Sequence, residues 1–259
     1  MKEFSKKKII VKKKEQSDNE PASDGLIRLN KYISNSGVCS RREADKIISD
    51  GQVTINGKVV TELGHKVSLD DDVQFGGKKL NPERKVYILL NKPRGFVTTL
   101  DDPHAERTVM QLVQNACSER IYPVGRLDMQ TTGVLLFTND GELAKKLTHP
   151  SFEKKKVYHV QLDKDFLPED FEKIQKGIEL EDGFIAADEI SLIDQNDLRQ
   201  VGIEIHSGKN RIVRRIFNHL GYQVERLDRV IFAGLTKKDL PRGRYRFLTL
   251  QEINFLKMS

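Results

Sequence analysis

Apolar residues follow two different spacings along the chain, and each spacing predicts a different kind of element. Continuous apolar runs at 87–90 and 134–137 are typical of strands buried on both faces. Leu29, Tyr32 and Ile33 recur instead at helical spacing, and further strands and helices such as 157–162 and 168–177 follow without strict alternation. The pattern therefore predicts an α+β fold, with a small N-terminal module and a larger domain of mixed, mainly antiparallel sheet and flanking helices.

The N-terminal module contains a strong helix-start signal. Ser40 followed by Glu43 forms a capping box, so a helix is expected from Arg41 to the Asp50-Gly51 pair. Arg41 and Arg42 then lie in its first turn, where cations oppose the helix dipole. An anion bound nearby would remove this conflict, so the pair indicates phosphate binding.

Turn signals divide the rest of the chain. Asn56-Gly57 between apolar runs predicts a hairpin, and the glycines at 76–77 indicate a hinge. We expect a disordered basic tail at 1–25, a first module at 26–76, a linker at 77–85 and a larger domain at 86–256.

Composition favours a polyanionic partner. The chain has 259 residues, 32% of them charged, and a formal net charge of +6, which makes nucleic acid the leading candidate. The Lys-rich tail fits either a phosphate-binding arm or a solvated segment. Cys39 and Cys117 lie in no disulfide or zinc spacing, so no metal is expected and a reducing cytoplasm fits best. No apolar stretch is long enough for a membrane span.

A candidate catalytic carboxylate lies just before the second apolar run. Asp128 sits in the segment 125–133, which combines Arg126 with a Thr/Gly turn and leads into the strand at 134–137. A loop that enters a buried strand is mounted on a rigid base, as active-site loops are. An ordinary surface turn before a core strand is the alternative, because aspartate favours turns.

The N-terminal module resembles a known RNA-binding domain. Residues 28–33, 40–44 and 51–58 look like the alpha-L module named after a small-subunit ribosomal protein, the S-four domain, over about residues 28–75. The resemblance implies that the module holds structured RNA through basic side chains. The candidates are Arg41, Arg42, Lys46 and Lys58. A purely structural two-helix cap is the alternative.

The larger domain resembles the RsuA/RluB/RluE/RluF family of rRNA pseudouridine synthases. The run from Gly125 to Asn139 matches the family's defining motif, and further family blocks occur in order. They lie at 91–95, 138–143, 149–151, 156–160, 208–215, 224–229 and 241–249. With the N-terminal module, the resemblance covers about residues 28–256.

This resemblance implies a reaction and roles for named residues. Uridine would be isomerised to pseudouridine without a cofactor, with Asp128 acting at the ribose either as a nucleophile on C1′ or as a base. Arg214 would be the basic partner of Asp128, Tyr158 would stack on an extruded uracil, and Leu227 would form an apolar wall. Four other residues are expected to contact RNA: Lys92, Arg126, Arg211 and Arg215.

The resemblance defines the RNA target less closely than it defines the reaction. Where relatives carry Gly-Arg-Pro, this chain has a different sequence at 104–107, so its RNA contacts can differ there. The blocks at 149–151 and 240–243 resemble the RluB-like branch, which favours large-subunit 23S rRNA over small-subunit 16S rRNA. The expected partners are rRNA and the assembling ribosomal subunit, and the expected oligomeric state is a monomer.

The residues alone are compatible with three other functions. A glycosidase would use a carboxylate at an anomeric carbon but normally needs a second one, and no partner for Asp128 stands out. A catalytically inactive RNA-binding assembly factor would not need Asp128, Tyr158 and Arg214 together. A structural ribosome-associated protein would depend mainly on the tail and the N-terminal module.

Overall fold

The computed structural model of the chain describes residues 25–100, 102 and 105–259. The predicted basic tail, apart from its last residue, and His104 of the divergent loop lie outside these residues. The contacts of the chain separate it into two units between Asn81 and Pro82, and each unit is described by itself.

The N-terminal unit consists of two helices and short strands. The helices are α1 (Leu29–Asn35) and α2 (Arg41–Ser49). The strands are β1 (Ile27–Arg28), β2 (Val53–Ile55), β3 (Lys58–Val59), β4 (Lys66–Val67), β5 (Val73–Phe75) and β6 (Lys78–Lys79). Strands β3-β2-β5-β6 form an antiparallel sheet in that order, and β1 pairs with β4.

Local sequence signals explain these elements. The capping box is complete, because Ser40 Oγ accepts from the Glu43 amide at 3.3 Å while the Glu43 carboxylate accepts from the Ser40 amide at 2.7 Å. Asn56 and Gly57 both adopt positive φ in the turn between β2 and β3, as the sequence predicted. The apolar faces of α1 and α2 pack on the sheet around Tyr32, which is fully buried.

The glycines at 76–77 have a different role from the predicted one. They form the tight turn between β5 and β6, and both have positive φ. Lys78 and Lys79 therefore belong to a strand of the N-terminal unit, and the division between the units falls five residues after Gly76.

The larger unit contains the following elements. Its strands are β7 (Tyr87–Lys92), β8 (Tyr122–Pro123), β9 (Thr132–Thr138), β10 (Lys156–Leu162), β11 (Ile178–Leu180), β12 (Gly183–Ile185), β13 (Glu189–Leu192), β14 (Gln200–Ile205), β15 (Val224–Phe232), β16 (Leu235–Thr236) and β17 (Tyr245–Phe247). Its α-helices are α3 (Gly141–Thr148), α4 (Pro168–Lys176), α5 (Ile212–His219) and α6 (Leu250–Met258), and short 3₁₀ helices span Val109–Leu112 and Pro150–Phe152.

A mixed sheet forms the centre of this unit. Its strand order is β13-β14-β10-β15-β9-β7-β17, with β16 added to β15 and β8 to β9. Within the described residues, β9 and β15 are the parallel pair of this sheet, and its other neighbours are antiparallel. The predicted α+β class with a mainly antiparallel sheet is confirmed.

Strands β7 and β9 are buried on both faces. Along β9, Leu135 and Phe137 face one apolar core, whereas Val134 and Leu136 face the other. Each of these four side chains is fully buried. The continuous apolar run thus places β9 near the middle of the sheet, and the loop that precedes β9 is anchored on this rigid base.

Candidate active site

The loop at 125–131, between β8 and β9, presents Asp128 and is held by its backbone. The Lys92 ammonium donates to the backbone oxygens of Asp128, Met129 and Thr131 at 3.1, 3.3 and 2.9 Å. The Thr98 hydroxyl donates to the Leu127 oxygen at 2.7 Å. These bonds fix the main chain of the loop.

Lys92 therefore has a different role from the RNA contact that the sequence suggested. Its side chain is 0% exposed, and its ammonium also donates to the Pro93 oxygen at 3.2 Å. Burial lowers the pKa of Lys92 to about 8, although the nearby Asp128 carboxylate acts in the opposite direction. The structure corrects the prediction, because a lysine enclosed by backbone carbonyls cannot reach RNA phosphate.

A glycine allows the loop to meet strand β15. Gly133 pairs with Arg229 where β9 and β15 run parallel, and its φ is +107°. A Cβ atom at this position would lie 2.1 Å from the Arg229 carbonyl oxygen, so no other residue fits without movement of the backbone. Next to it, the Thr132 hydroxyl donates to the Asp228 carboxylate at 2.9 Å. The C-terminal end of the loop is thus hydrogen-bonded to β15.

A cavity of about 180 Å³ opens beside this loop. Asp128 lies at its rim with a side chain 41% exposed. Three predicted site residues, Arg126, Tyr158 and Leu227, line the same cavity. An adjoining groove shares Arg126, Asp128 and Arg211 with the cavity and adds Arg214. The structure therefore brings together all four residues predicted to be catalytic.

The cation nearest to Asp128 differs from the predicted one. The Arg211 Nε lies 3.8 Å from the Asp128 Oδ2, whereas the Arg214 Nη1 donates to the Val224 carbonyl at 2.7 Å. Burial and the neighbouring Arg211 lower the pKa of Arg214, and Asp128 raises it, so Arg214 does interact with the carboxylate electrostatically. Arg211 has a φ of +47° just before α5, a backbone turn that helical spacing does not reveal.

Arg215 is engaged by another carboxylate. Its guanidinium forms a bidentate pair with Asp182 at 2.9 and 2.5 Å, in the turn between β11 and β12. Side-chain hydrogen bonds from Arg215 lower the pKa of Asp182 to about 2. Lys209 reaches the same turn and donates to the Asp182 backbone oxygen at 2.7 Å. An RNA contact by Arg215 would have to compete with this pair.

Tyr158 and Leu227 form the apolar side of the cavity. They are 8% and 6% exposed and lie on neighbouring strands β10 and β15. Tyr158 is paired across the strands with Arg229, which is 3% exposed and also lines the cavity. Arg229 was not among the residues predicted from the sequence. An arginine two positions after Leu227 on a strand shares its inward face, and this alternation was the available signal.

Lys156 is a second cation that the sequence analysis missed. Its ammonium donates to the backbone oxygens of Lys154 and His206 at 2.8 and 2.7 Å, and its side chain lines the cavity. Burial, with a smaller effect from Arg229, lowers its pKa to about 8. The cavity is therefore bordered by cations on several sides and by one carboxylate at its rim.

The basic residues predicted for the N-terminal unit are all exposed. Arg41 and Arg42 lie in the first turn of α2, Lys46 lies on the same helix, and Lys58 begins β3. The Arg41 Nη2 donates to the Asn30 side-chain oxygen at 3.3 Å. Their side chains are available to a polyanionic ligand.

The described residues hold neither a cluster of metal ligands nor a membrane-spanning helix. Residues 25–100, 102 and 105–259 contain no group of three or more His, Cys, Asp or Glu side chains placed to hold a metal ion. None of the helices described is both long and apolar enough to cross a membrane.

The fold and the cavity define an enzyme domain joined to a small basic module, and comparison with known proteins identifies both. A family model for RNA pseudouridylate synthase matches residues 86–219, and one for the S4 domain matches residues 27–73. The chain belongs to the RNA pseudouridylate synthase family and is a pseudouridine synthase with an N-terminal S4 domain.

Individual relatives agree with this assignment. Ribosomal large subunit pseudouridine synthase B of Bacillus subtilis is 42% identical over 89% of this chain and 95% of that protein. The dual-specificity RNA pseudouridine synthase RluF of Escherichia coli is 35% identical over 89% of this chain and 78% of that protein. A crystal structure of a pseudouridylate synthase, 30% identical, superposes with a TM-score of 0.64 and covers 89% of this chain and 99% of the other. The resemblance read from the sequence motifs is confirmed.

Proposed function

We propose that this protein isomerises a specific uridine of large-subunit 23S rRNA to pseudouridine, with Asp128 as the catalytic carboxylate. The observation that carries this proposal is the Asp128 loop. Its backbone is pinned by Lys92 and Thr98, and its carboxylate stands at the rim of a cavity lined by Tyr158 and Leu227. A rigidly mounted carboxylate beside a cavity with one apolar wall is suited to act on the ribose of a base that has left its stack.

The reaction requires bonds to be exchanged at one ribose carbon. The C1′–N1 bond breaks and its electron pair goes to the base. The base then turns, C5 bonds to C1′, the C5 proton leaves, and N1 gains a proton. Atoms and charge balance without a cofactor. Asp128 acts at the ribose in the first stage, either by attack on C1′ or by removal of a ribose proton.

The surrounding residues have separate tasks. Tyr158 and Leu227 enclose the extruded uracil, because both are buried in the cavity wall. Arg211 supplies positive charge 3.8 Å from Asp128, and Arg214 adds to it from the adjoining groove. Arg126 is exposed at the mouth of both, where an RNA backbone would pass.

The choice of RNA rests on the relatives. One relative is named for the large ribosomal subunit, and it matches 89% of this chain. We propose 23S rRNA, free or in an assembling subunit, as the substrate of a monomeric cytoplasmic enzyme that uses its S4 domain to hold structured RNA. Action on 16S rRNA and a catalytically inactive assembly factor are the alternatives.

The test uses unmodified 23S and 16S rRNA transcripts. Each is incubated with wild-type protein and with Asp128→Asn, and pseudouridines are then mapped as carbodiimide-dependent stops of reverse transcription. We expect one new stop in 23S rRNA with the wild type and none with the variant. A stop in 16S rRNA alone would move the target to the small subunit. No stop with either RNA, or the same stop with Asp128→Asn, would contradict the catalytic proposal.

A further inference from the structure

The Arg229 guanidinium is an unusual group to find beside the cavity. Its Nε donates to the Val134 carbonyl at 2.9 Å, and its carbon lies 4.5 Å from the centre of the Phe232 ring. Its Nη2 is buried and has no hydrogen-bond partner. In the described part of the chain, no carboxylate forms an ion pair with Arg229, although the residue is only 3% exposed.

A buried cation without a counter-charge destabilises a fold. Removing a guanidinium from water is costly, and an unused donor adds to that cost. Burial accordingly lowers the pKa of Arg229. The nearby Lys156 ammonium increases the local positive charge further. Packing alone would be served better by an apolar side chain, so the retained guanidinium indicates a task inside the cavity.

Tyr158 is the polar neighbour of this guanidinium. The two residues are paired in the register of β10 and β15, and both side chains line the cavity. Burial lowers the pKa of Arg229, and the Tyr158 hydroxyl acts in the opposite direction as a charge and hydrogen-bond partner. An arginine has donors and no acceptor, so the tyrosine oxygen can only accept from it. The Tyr158 proton must then be donated elsewhere. Both residues line the cavity, which makes a group held there the natural acceptor.

We propose that Arg229 is a positioning residue that holds the Tyr158 oxygen as an acceptor and so directs the Tyr158 proton to a carbonyl oxygen of the bound uracil. This inference rests on the proposed function, because it takes the occupant of the cavity to be the substrate base. The hydrogen bond gains strength when the C1′–N1 bond breaks, since the base then carries the electron pair of that bond. No proton is transferred in this step, and Arg229 itself does not contact the base.

A double-mutant cycle tests whether Arg229 acts through the Tyr158 hydroxyl. Single-turnover rates on the RNA found by transcript mapping are measured for wild type, Arg229→Gln, Tyr158→Phe and the double variant. We expect Arg229→Gln to slow the wild-type reaction on the order of tenfold and to slow Tyr158→Phe by less than about twofold. Arg229→Lys, which keeps a charged donor, should recover part of the rate, and KM should change little.

Arg226→Gln changes an exposed arginine on the same strand and should keep the wild-type rate. Equal losses from Arg229→Gln in both backgrounds would overturn the inference and leave Arg229 with a packing role. No turnover by the wild type would count against the proposed function instead.

Two further measurements keep the cycle decisive. If circular dichroism shows that Arg229→Gln is unfolded, Arg229→Lys takes its place and must again lose less rate in the Tyr158→Phe background than in the wild type. If Tyr158→Phe has no measurable turnover, the four proteins are compared in an Asp128→Asn background by their affinity for target RNA and for the same RNA lacking the target base. Arg229 should then affect the preference for the base only where Tyr158 is present.

Discussion

Both units of this protein present exposed arginines and lysines, and among the described residues the larger unit also buries two of them. On the N-terminal unit, Arg41 and Arg42 are exposed. In the larger unit, Lys92 and Arg229 are 0% and 3% exposed, and Lys92 is bound to backbone oxygens. An exposed cation is free to meet a phosphate, whereas an enclosed one fixes the position of the chain around it. Under the proposed function, this difference separates RNA binding by Arg41 and Arg42 from the positioning of the Asp128 loop by Lys92.

The largest effect is expected at Asp128, whose carboxylate lies on the loop that Lys92 holds. Asp128→Asn removes the charge and keeps the size of the side chain, so turnover should fall by about 10³-fold or more. The free energy of unfolding should change little, because the Asp128 side chain is 41% exposed. Rates from nucleoside analysis of digested RNA measure the first quantity, and urea titration measures the second. Turnover within tenfold of wild type would remove Asp128 from the chemistry.

Lys92→Met should damage both stability and turnover. The change removes the Lys92 donor from the backbone oxygens of Asp128, Met129 and Thr131, and only the first two keep a backbone donor, which should cost about 1–3 kcal/mol of unfolding free energy. The loosened loop should lower the rate on the order of 10²-fold. Lys238→Met, at an exposed position, is the matched control. Similar stability and rate in both variants would show that Lys92 does not hold the loop.

The exposed pair should affect binding rather than rate. Arg41→Ala with Arg42→Ala should weaken RNA binding about tenfold and reduce the slope of log affinity against log salt by about 1.5–2. Lys66→Ala with Lys78→Ala removes the same charge from other exposed positions of the unit. Filter binding across a salt series checks both variants. An equal loss in the control pair would show that the effect comes from net charge and not from the position of Arg41 and Arg42.

The two enclosed lysines should also shape the pH dependence of stability. The pKa values of Lys92 and Lys156 are lowered to about 8 in the folded protein, below the ordinary value of 10.5. Between these values the unfolded chain binds more protons, so the free energy of unfolding should rise with pH, by about 1–2 kcal/mol per lysine from pH 7 to 9.5. Urea titrations at several pH values should show a smaller rise in Lys92→Met. An unchanged rise would contradict the assignment.

The smallest effect is expected at Arg215. Because Asp182 already binds its guanidinium, Arg215→Ala should weaken RNA binding by about twofold at most. Arg211→Ala should have a larger effect, since Arg211 is exposed and faces Asp128. Affinity measurements at one salt concentration compare the two. A greater loss from Arg215→Ala would mean that RNA displaces Asp182.

The sequence predicted the elements better than it predicted the roles of their charged residues. Spacing and capping signals identified α2 and the buried strand at 134–137, because these depend on neighbours in the chain. Lys92 was assigned to RNA because the block at 91–95 resembles the family's sequence. Its burial depends on three backbone oxygens some 36–39 residues away, and spacing does not reveal such contacts.

The motif resemblance predicted which residues lie together at the candidate site, but it did not predict which of them contact each other. Motif resemblance brought Asp128, Tyr158, Arg214 and Leu227 to one place, and the structure does place them around adjoining parts of one cleft. It did not show that Arg211 is the cation nearest to Asp128, since that depends on a left-handed residue before α5. Arg229 was not predicted although it lies two positions after Leu227 on β15, and its pairing with Tyr158 comes from the register of two strands distant in sequence.

The division between binding and chemistry can be tested directly by one paired measurement. Affinity and single-turnover rate at saturating enzyme are determined on the same rRNA for Asp128→Asn and for Arg41→Ala with Arg42→Ala. We predict that Asp128→Asn binds like the wild type and makes no pseudouridine, whereas the arginine variant binds about tenfold more weakly and reacts at the wild-type rate once saturated. Pseudouridine formation by Asp128→Asn at the wild-type rate, or a lowered saturated rate in the arginine variant, would contradict the account.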